Sequence, residues 1–358
     1  MMKYNFLQHR RNLLITVISL LVLCFLSFSY ELFVPLFHPT NKDGVGYIYI
    51  DKGAHLDSIS NQLSKQGYSS SGWPLKCLLL VTPLHVGRYA VHDGDNLFNL
   101  YRRIRNKRQA PLLLVINTPR TLPLLAQSLG KQLMLDSAEI ITKLNEPDFA
   151  IQQGFTRETL PAMFIPNSYE VYWNTTLENL ITRLHKEYNR FWTNERKEKA
   201  KALGLTPVQV STLASIVDSE TTYDPEKPSI AALYLNRLRL GMKLQADPTV
   251  IFAAGDFSIH RVGGELLKNP SPYNTYQHEG LPPGPIRIAS IKGIDAVLTP
   301  DAHAYIYMCA KEDFSGSHNF SMSLAQHRIN ATRFQQALNA RNIKIGNHLN
   351  GLSNSSSF

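Results

Sequence analysis

The chain has 358 residues, of which 44% are hydrophobic and 18% charged. That is apolar sequence enough for about two domains with buried cores, and it excludes a chain that is disordered or of low complexity throughout. The net charge of +9 suits an anionic partner such as nucleic acid, a lipid surface or an acidic wall polymer, and equally a plain solvated surface.

The first element is an apolar run. Leu13 to Tyr30 carries no charge, and beyond Glu31 a further apolar patch reaches Phe37. A helix that spans a bilayer needs about 20 such residues. Residues 13–33 are therefore expected to form a single transmembrane helix behind a short cytoplasmic stub, residues 1–12. Lys3, Arg10 and Arg11 precede the run, and the nearest following cation is Lys42. The positive-inside rule then keeps the N-terminus in the cytoplasm and places the rest outside the cytoplasmic (inner) membrane, in the periplasm. The rival is a cleaved signal peptide, which has a shorter apolar core and a small-x-small cleavage site. The run here ends Phe-Ser-Tyr-Glu-Leu-Phe, without an Ala-x-Ala-like site.

Three strand-turn-helix units follow. Gly46 to Ile50 alternates, turns at Asp51-Lys52-Gly53, then continues with Leu56, Ile59 and Leu63 at helical spacing. Gly87 to Val91 turns at His92-Asp93-Gly94-Asp95, then continues with Leu97, Leu100 and Ile104. Leu112 to Ile116 turns at Asn117-Thr118-Pro119, then continues with Leu122, Leu125 and Leu129. Apolar periodicity changes from two to about 3.6 at each turn, and Gly, Asp and Asn suit turns and helix caps. The middle copy, Tyr89-Ala-Val91-His-Asp-Gly94-Asp95-Asn-Leu97-Phe98, resembles the opening of LysM modules, which bind N-acetylglucosamine polymers. Residues 43–117 are accordingly read as a LysM-like subdomain, with glycan contact and a scaffold role both open.

Residues 118–205 read as a helical connector. Pro161, Pro166 and Asn167 interrupt it, and Thr176 to Arg196 is expected to be one charged helix with Leu180, Leu184, Tyr188 and Phe191 on one side. Thr206-Pro207-Val208-Gln209 is then a strong helix start, with a capping Thr, Pro at the first helical position and Gln to complete a capping box. Val210, Leu213 and Val217 lie on one face, and Glu220 continues that series. A carboxyl on the apolar side near a helix C-terminus has its pKa raised by burial and by the helix dipole. It can then stay protonated near neutral pH and act as a general acid. The plainer alternative is a Glu ion-paired to Arg237 or Arg239. Asp218 is rotated by about 200° from Glu220 and should not share its site through this helix.

Five ordered motifs run through this region: Leu213-Ala-Ser-Ile-Val217-Asp-Ser-Glu220-Thr221, Leu235-Asn236-Arg237-Leu238, Gly241-Met-Lys-Leu-Gln245-Ala-Asp247-Pro248-Thr249-Val250, Ser271-Pro-Tyr273-Asn274-Thr275-Tyr276 and Gly280-Leu-Pro-Pro-Gly-Pro-Ile286. Gly316-Ser-His318-Asn-Phe320 follows them. Together they resemble the endolytic murein transglycosylase family (MltG/YceG-like). The likeness is specific over Leu213 to Phe320 and looser over Tyr47 to Leu205. There are two departures. Ser219 stands where a lysine is common, and Ala289-Ser290 where many members have Pro-Gly, which leaves the start of the next helix open.

The resemblance implies a lytic transglycosylase in which Glu220 first protonates the glycosidic oxygen between N-acetylmuramic acid and N-acetylglucosamine. As carboxylate it then takes the proton of the muramyl C6 hydroxyl, which attacks C1 and closes a 1,6-anhydro ring. Substrate-binding candidates are Gln245 and Asp247 on a turn closed by Pro248, then Ser271, Tyr273, Asn274, Tyr276 and His318. Each could instead serve turn, packing or structural hydrogen bonding. Asn236 and Arg237 are read as fixing the wall of the site. Peptidoglycan glycan strands and the membrane are the implied partners, with peptidoglycan synthases nearby and no nucleic acid. No zinc-type cysteine spacing, Walker loop or dinucleotide fingerprint occurs, so no metal and no cofactor is expected. Whether Cys77 and Cys309 pair is open, because pairing depends on geometry.

The expected architecture is thus α+β: the anchor, the LysM-like region, the connector, a catalytic domain over residues 206–342 and a polar, disordered tail over 343–358. Two rival functions stand beside it. One is a membrane-anchored, non-catalytic glycan-binding scaffold. The other is a muramidase with a second carboxylate such as Asp247 or Glu265.

Overall fold

The computed structural model describes residues 2–38, 44–68, 73–80, 82–259 and 261–353. They form a mixed helix-and-strand fold in two compact units. One unit holds Met1–Leu114, Gln132–Met134 and Tyr169–Thr175; the other holds Val115–Lys131, Leu135–Ser168 and Thr176–Phe358.

The first unit begins with α1 (Met2–Phe37), followed by β1 (Gly46–Ile50), α2 (Leu56–Lys65), α3 (Trp73–Leu80), β2 (Gly87–Val91) and α4 (Leu97–Arg105). Within α1, Gln8–Val34 is long and apolar enough to cross a membrane, which is consistent with a single-pass anchor. β1 and β2 pair antiparallel, from Gly46 opposite Val91 to Ile50 opposite Gly87. The open edge of β1 is closed by two glutamines four residues apart on α2. Gln62 bonds both the N–H and the C=O of Tyr49, and Gln66 those of Tyr47. One helical turn and two strand residues are nearly equal lengths, so the two side chains meet the two peptide groups in register.

Ile48, Ile50, Ile59, Leu63, Leu97, Leu100 and Ile104 are buried together, so the strand and helix periodicities of the sequence do converge on one core. Each such side chain contributes about 1.5–3 kcal/mol. β2 departs from simple alternation, for all five of its residues are buried. Its polar member, Arg88, donates to the carbonyl of Pro111 and lies over the Tyr47 ring. The turn after β2 needs Gly94, whose φ of 74° is in the left-handed region.

The chain continues through β3 (Leu112–Ile116), α5 (Leu122–Gln132), α6 (Ser137–Leu144), α7 (Phe149–Gln152), β4 (Asn167–Val171), α8 (Leu177–Phe191) and α9 (Asn194–Ala202). β3 pairs with β4. The connector therefore contains a strand that helical periodicity did not suggest. Nor is Thr176 to Arg196 one helix: it breaks at Trp192, which is buried, and Thr193 caps α9 by accepting from the Arg196 N–H.

The core of the second unit is built on α10 (Pro207–Glu220), α11 (Lys227–Arg239), α12 (Asp247–Ala254) and α13 (Ile291–Leu298). A hairpin follows, β5 (Tyr307–Ala310) with β6 (His318–Ser321), antiparallel from Tyr307 opposite Ser321 to Ala310 opposite His318. The last helix, α14, runs Leu324–Ser353 and so passes Asn342, where the sequence suggests a boundary and then a disordered tail; residues 354–358 of that tail lie outside the described residues. Cys24, Cys77 and Cys309 are free thiols.

Candidate active site

α10 starts as its sequence dictates. The Thr206 hydroxyl accepts from the Gln209 N–H at 3.2 Å, and the Gln209 side chain accepts from the Thr206 N–H at 2.8 Å. Its burial differs from a one-sided stripe, because every residue from Val210 to Asp218 is buried. α10 is the central helix of its unit. Glu220 is its last residue, the point at which a buried helix meets a cleft of about 200 Å³.

Asp218 turns away from that cleft. It accepts from Lys227 Nζ at 2.8 Å, from the Ser290 N–H at 2.6 Å and from the Ser290 hydroxyl at 2.8 Å. Ser290 in turn caps α13, accepting from the Gly293 N–H at 2.9 Å. The Ala289-Ser290 departure thus starts the next helix with a serine cap. The other departure, Ser219, closes its hydroxyl onto the carbonyl of Ser215. Gly293 is required by close approach: a Cβ there would lie 2.6 Å from an Asp218 oxygen.

Around Glu220 the cleft is lined by Tyr234, Arg237, Gln245, Asp247, Tyr276, Cys309 and His318, with Leu233, Met308 and Ala310. The Tyr234 hydroxyl donates to Glu220 Oε1 at 2.6 Å. The ion pair with Arg237 or Arg239 is not what holds this carboxyl. Arg237 spends its guanidinium on the carbonyls of Ile306 and Leu244, at 2.7 and 2.5 Å, and Arg239 bonds Asn236. Removal from water pushes the Glu220 carboxyl up to about 7. The Tyr234 hydrogen bond opposes that rise, the negative charge of Asp247 adds to it, and His318 and Arg237 oppose it.

Asp247 begins α12, and its Oδ1 accepts from the Tyr276 hydroxyl at 2.6 Å. Gln245 has φ of 50°, a left-handed conformation rare for a residue with a side chain. It is held there by its own N–H on the Thr275 carbonyl and by the Ala246 N–H on the Thr275 hydroxyl. His318 enters from β6, its ring Nδ1 2.8 Å from Glu226 Oε2.

Of the residues singled out from sequence, Glu220, Gln245, Asp247, Tyr276 and His318 come together. Ser271, Tyr273 and Asn274 do not line the cleft. Asn274 is fully buried; it donates to the carbonyls of Leu267 and Asn269 and accepts from the Tyr276 N–H, so it folds the loop that aims Tyr276. Ser271 accepts from the Tyr273 N–H within the same loop. Tyr273 packs on Phe252 with ring centroids 4.8 Å apart, and burial pushes its hydroxyl up to about 12. Glu265 is exposed and paired with Lys268, away from the cleft lining. Two residues that sequence reasoning passed over are Tyr234 and Glu226. The usable signal for Tyr234 was that a buried phenol needs a partner; nothing in the sequence marks Glu226. Among the described residues no cluster of His, Cys, Asp and Glu could hold a metal ion.

Residues 48–333 match the family described as YceG-like. A Bacillus subtilis (strain 168) protein named endolytic murein transglycosylase is 26% identical over 313 residues, covering 82% of this chain and 86% of that protein. A Streptococcus pneumoniae serotype 2 (strain D39) protein of the same name is 24% identical over 323 residues; the match covers 79% of this chain and 58% of that longer protein. In fold, the chain is similar to a crystal structure of a yceG-like protein from Listeria monocytogenes, with a TM-score of 0.57 and 24% identity over 80% of this chain and 99% of that one.

Proposed function

The chain belongs to the YceG-like family, and from that premise we propose that it is an endolytic peptidoglycan lytic transglycosylase in which Glu220 is acid and base in turn. The reaction is supported by the relatives named endolytic murein transglycosylase. The observation that carries the residue assignment is the Glu220 carboxyl, raised to about 7 in a polar cleft.

A carboxyl with that pKa is substantially protonated near neutral pH, yet ionises readily, which is what a group used in both directions needs. Tyr234 donates to Oε1, which leaves Oε2 to carry the proton. Transfer of that proton to the glycosidic oxygen releases the N-acetylglucosamine side and leaves positive charge at C1 of the muramyl ring. The Glu220 carboxylate then removes the C6 hydroxyl proton as O6 attacks C1. Glu220 ends protonated, the ring is closed, and no water enters the balance. Asp247, oriented by Tyr276, places a fixed negative charge in the same cleft. It serves twice, by keeping Glu220 protonated and by offsetting the charge at C1.

The enzyme is anchored by α1 with its N-terminus in the cytoplasm, a reading supported by Lys3, Arg10 and Arg11 ahead of the apolar run. The LysM-like reading of residues 43–117 is a likeness of local folding. Tyr89, Asp95 and Leu97 are interior, and Asp95 is bound to Arg103 and the His92 N–H. They shape the unit, and no glycan-docking role is assigned to them.

Mass spectrometry of strands digested by the full chain tests the reaction. Ends in 1,6-anhydromuramic acid are expected. Reducing muramic ends would mean that water is the nucleophile and that Asp247 acts as the second carboxylate of a muramidase.

A further inference from the structure

Glu226 closes the short turn Asp224–Glu226 after α10, and only 8% of it is exposed. Both of its oxygens are spent on one residue. Oε1 accepts from the backbone N–H of His318 at 2.7 Å, and Oε2 faces the His318 ring Nδ1 at 2.8 Å. A carboxylate only accepts, so Nδ1 carries the ring proton. The ring lines the Glu220 cleft, and Nε2 is the nitrogen left over, with a lone pair when the ring is neutral. Three of the polar groups around it are committed elsewhere: Tyr234 to Glu220, Tyr276 to Asp247, and Arg237 to backbone carbonyls.

We propose that Glu226 is a positioning residue that locks His318 as its Nδ1–H tautomer, so that Nε2 accepts a hydrogen bond from a hydroxyl of the bound glycan strand. The role of Nε2 rests on the transglycosylase reading of the cleft; the tautomer rests on geometry alone. The turn that ends at Glu226 leaves the same helix that presents Glu220, so one segment sets both the acid and the acceptor.

Glu226→Gln is the test, because an amide of the same shape must invert the ring. The His318 backbone N–H can only donate, so it holds the amide oxygen. The amide NH₂ is then left facing Nδ1, and the ring proton moves to Nε2. Nitrogen NMR of the full chain in detergent micelles, with isotope-labelled histidine, reads the tautomer at a pH where the ring is neutral. His318→Asn identifies the signal. It also keeps a donor toward Glu226 while removing the nitrogen that faces the cleft.

The wild type should show Nδ1–H and Glu226→Gln should show Nε2–H. In both variants KM for glycan strands should rise roughly tenfold, the loss of about one hydrogen bond, with the unfolding temperature close to wild type. Nε2–H in the wild type, or a Glu226→Gln variant that keeps Nδ1–H, overturns the tautomer claim. An inverted ring with unchanged KM overturns the role of Nε2, as does a His318→Asn variant with unchanged KM. Failure of the transglycosylase reading shows separately, as wild-type protein that leaves no anhydro ends.

Discussion

At the scale of single residues, the site turns on how one carboxyl is kept from ionising too early. Loss of water raises Glu220, and the Tyr234 hydroxyl pulls it back because it bonds best to the charged form. The sign for Tyr234→Phe follows. Without the donor the carboxylate is less stable, the carboxyl holds its proton longer, and the alkaline limb of kcat/KM moves up by roughly one pH unit. The base half of the reaction also loses its anchor, so kcat should fall. A pH–rate profile in which the alkaline limb stays in place or moves down would contradict this role. The place of Glu220 at the end of a buried helix was legible in sequence, from its helical offset. Its partners were not. Tyr234 lies on a helix face that also carries Ile230 and Leu233, and sequence cannot separate a phenol that packs from one that donates. Asn274 shows the converse: polar and in a motif, yet fully buried as the fastening of a loop.

At the scale of elements, α10 and α13 are joined through a buried charge. Asp218 holds Lys227 and both donor groups of Ser290, with the side chains of Asp218 and Lys227 only 4% and 8% exposed. Removing Asp218 strands both Ser290 donors, while Lys227 keeps a second partner, Asp224, at 2.8 Å. Asp218→Ala should therefore lower stability by about 2–3 kcal/mol in denaturant unfolding; a loss below about 1 kcal/mol would mean that the network is dispensable. Helix starts were the most legible elements, because Thr206, Pro207 and Gln209 act within four residues of one another. Strands were less so. Asn167–Val171 lies next to prolines and has no alternating stripe, for its pairing with β3 is a long-range contact that local sequence cannot show. α3 was also passed over: Trp73 to Leu80 is apolar with no polar face to give it a period.

At the scale of the whole molecule, the chain joins one apolar helix of membrane-spanning length to a catalytic unit. Three cations ahead of the helix, Lys3, Arg10 and Arg11, set the expected orientation. A reporter fused after Phe358 should be active only outside the cytoplasm, and activity inside would reverse the topology. The central claim is that Glu220 alone moves the proton in both halves of the cleavage. Glu220→Gln keeps size and shape but cannot exchange a proton, and the fold should survive because an amide costs less to bury than a charge. The decisive measurement is the rate at which full-length wild type and Glu220→Gln release 1,6-anhydromuramic ends from glycan strands. The account predicts a loss of at least about 10²–10⁴-fold in the variant, with strand binding retained; near-normal release by Glu220→Gln would contradict it.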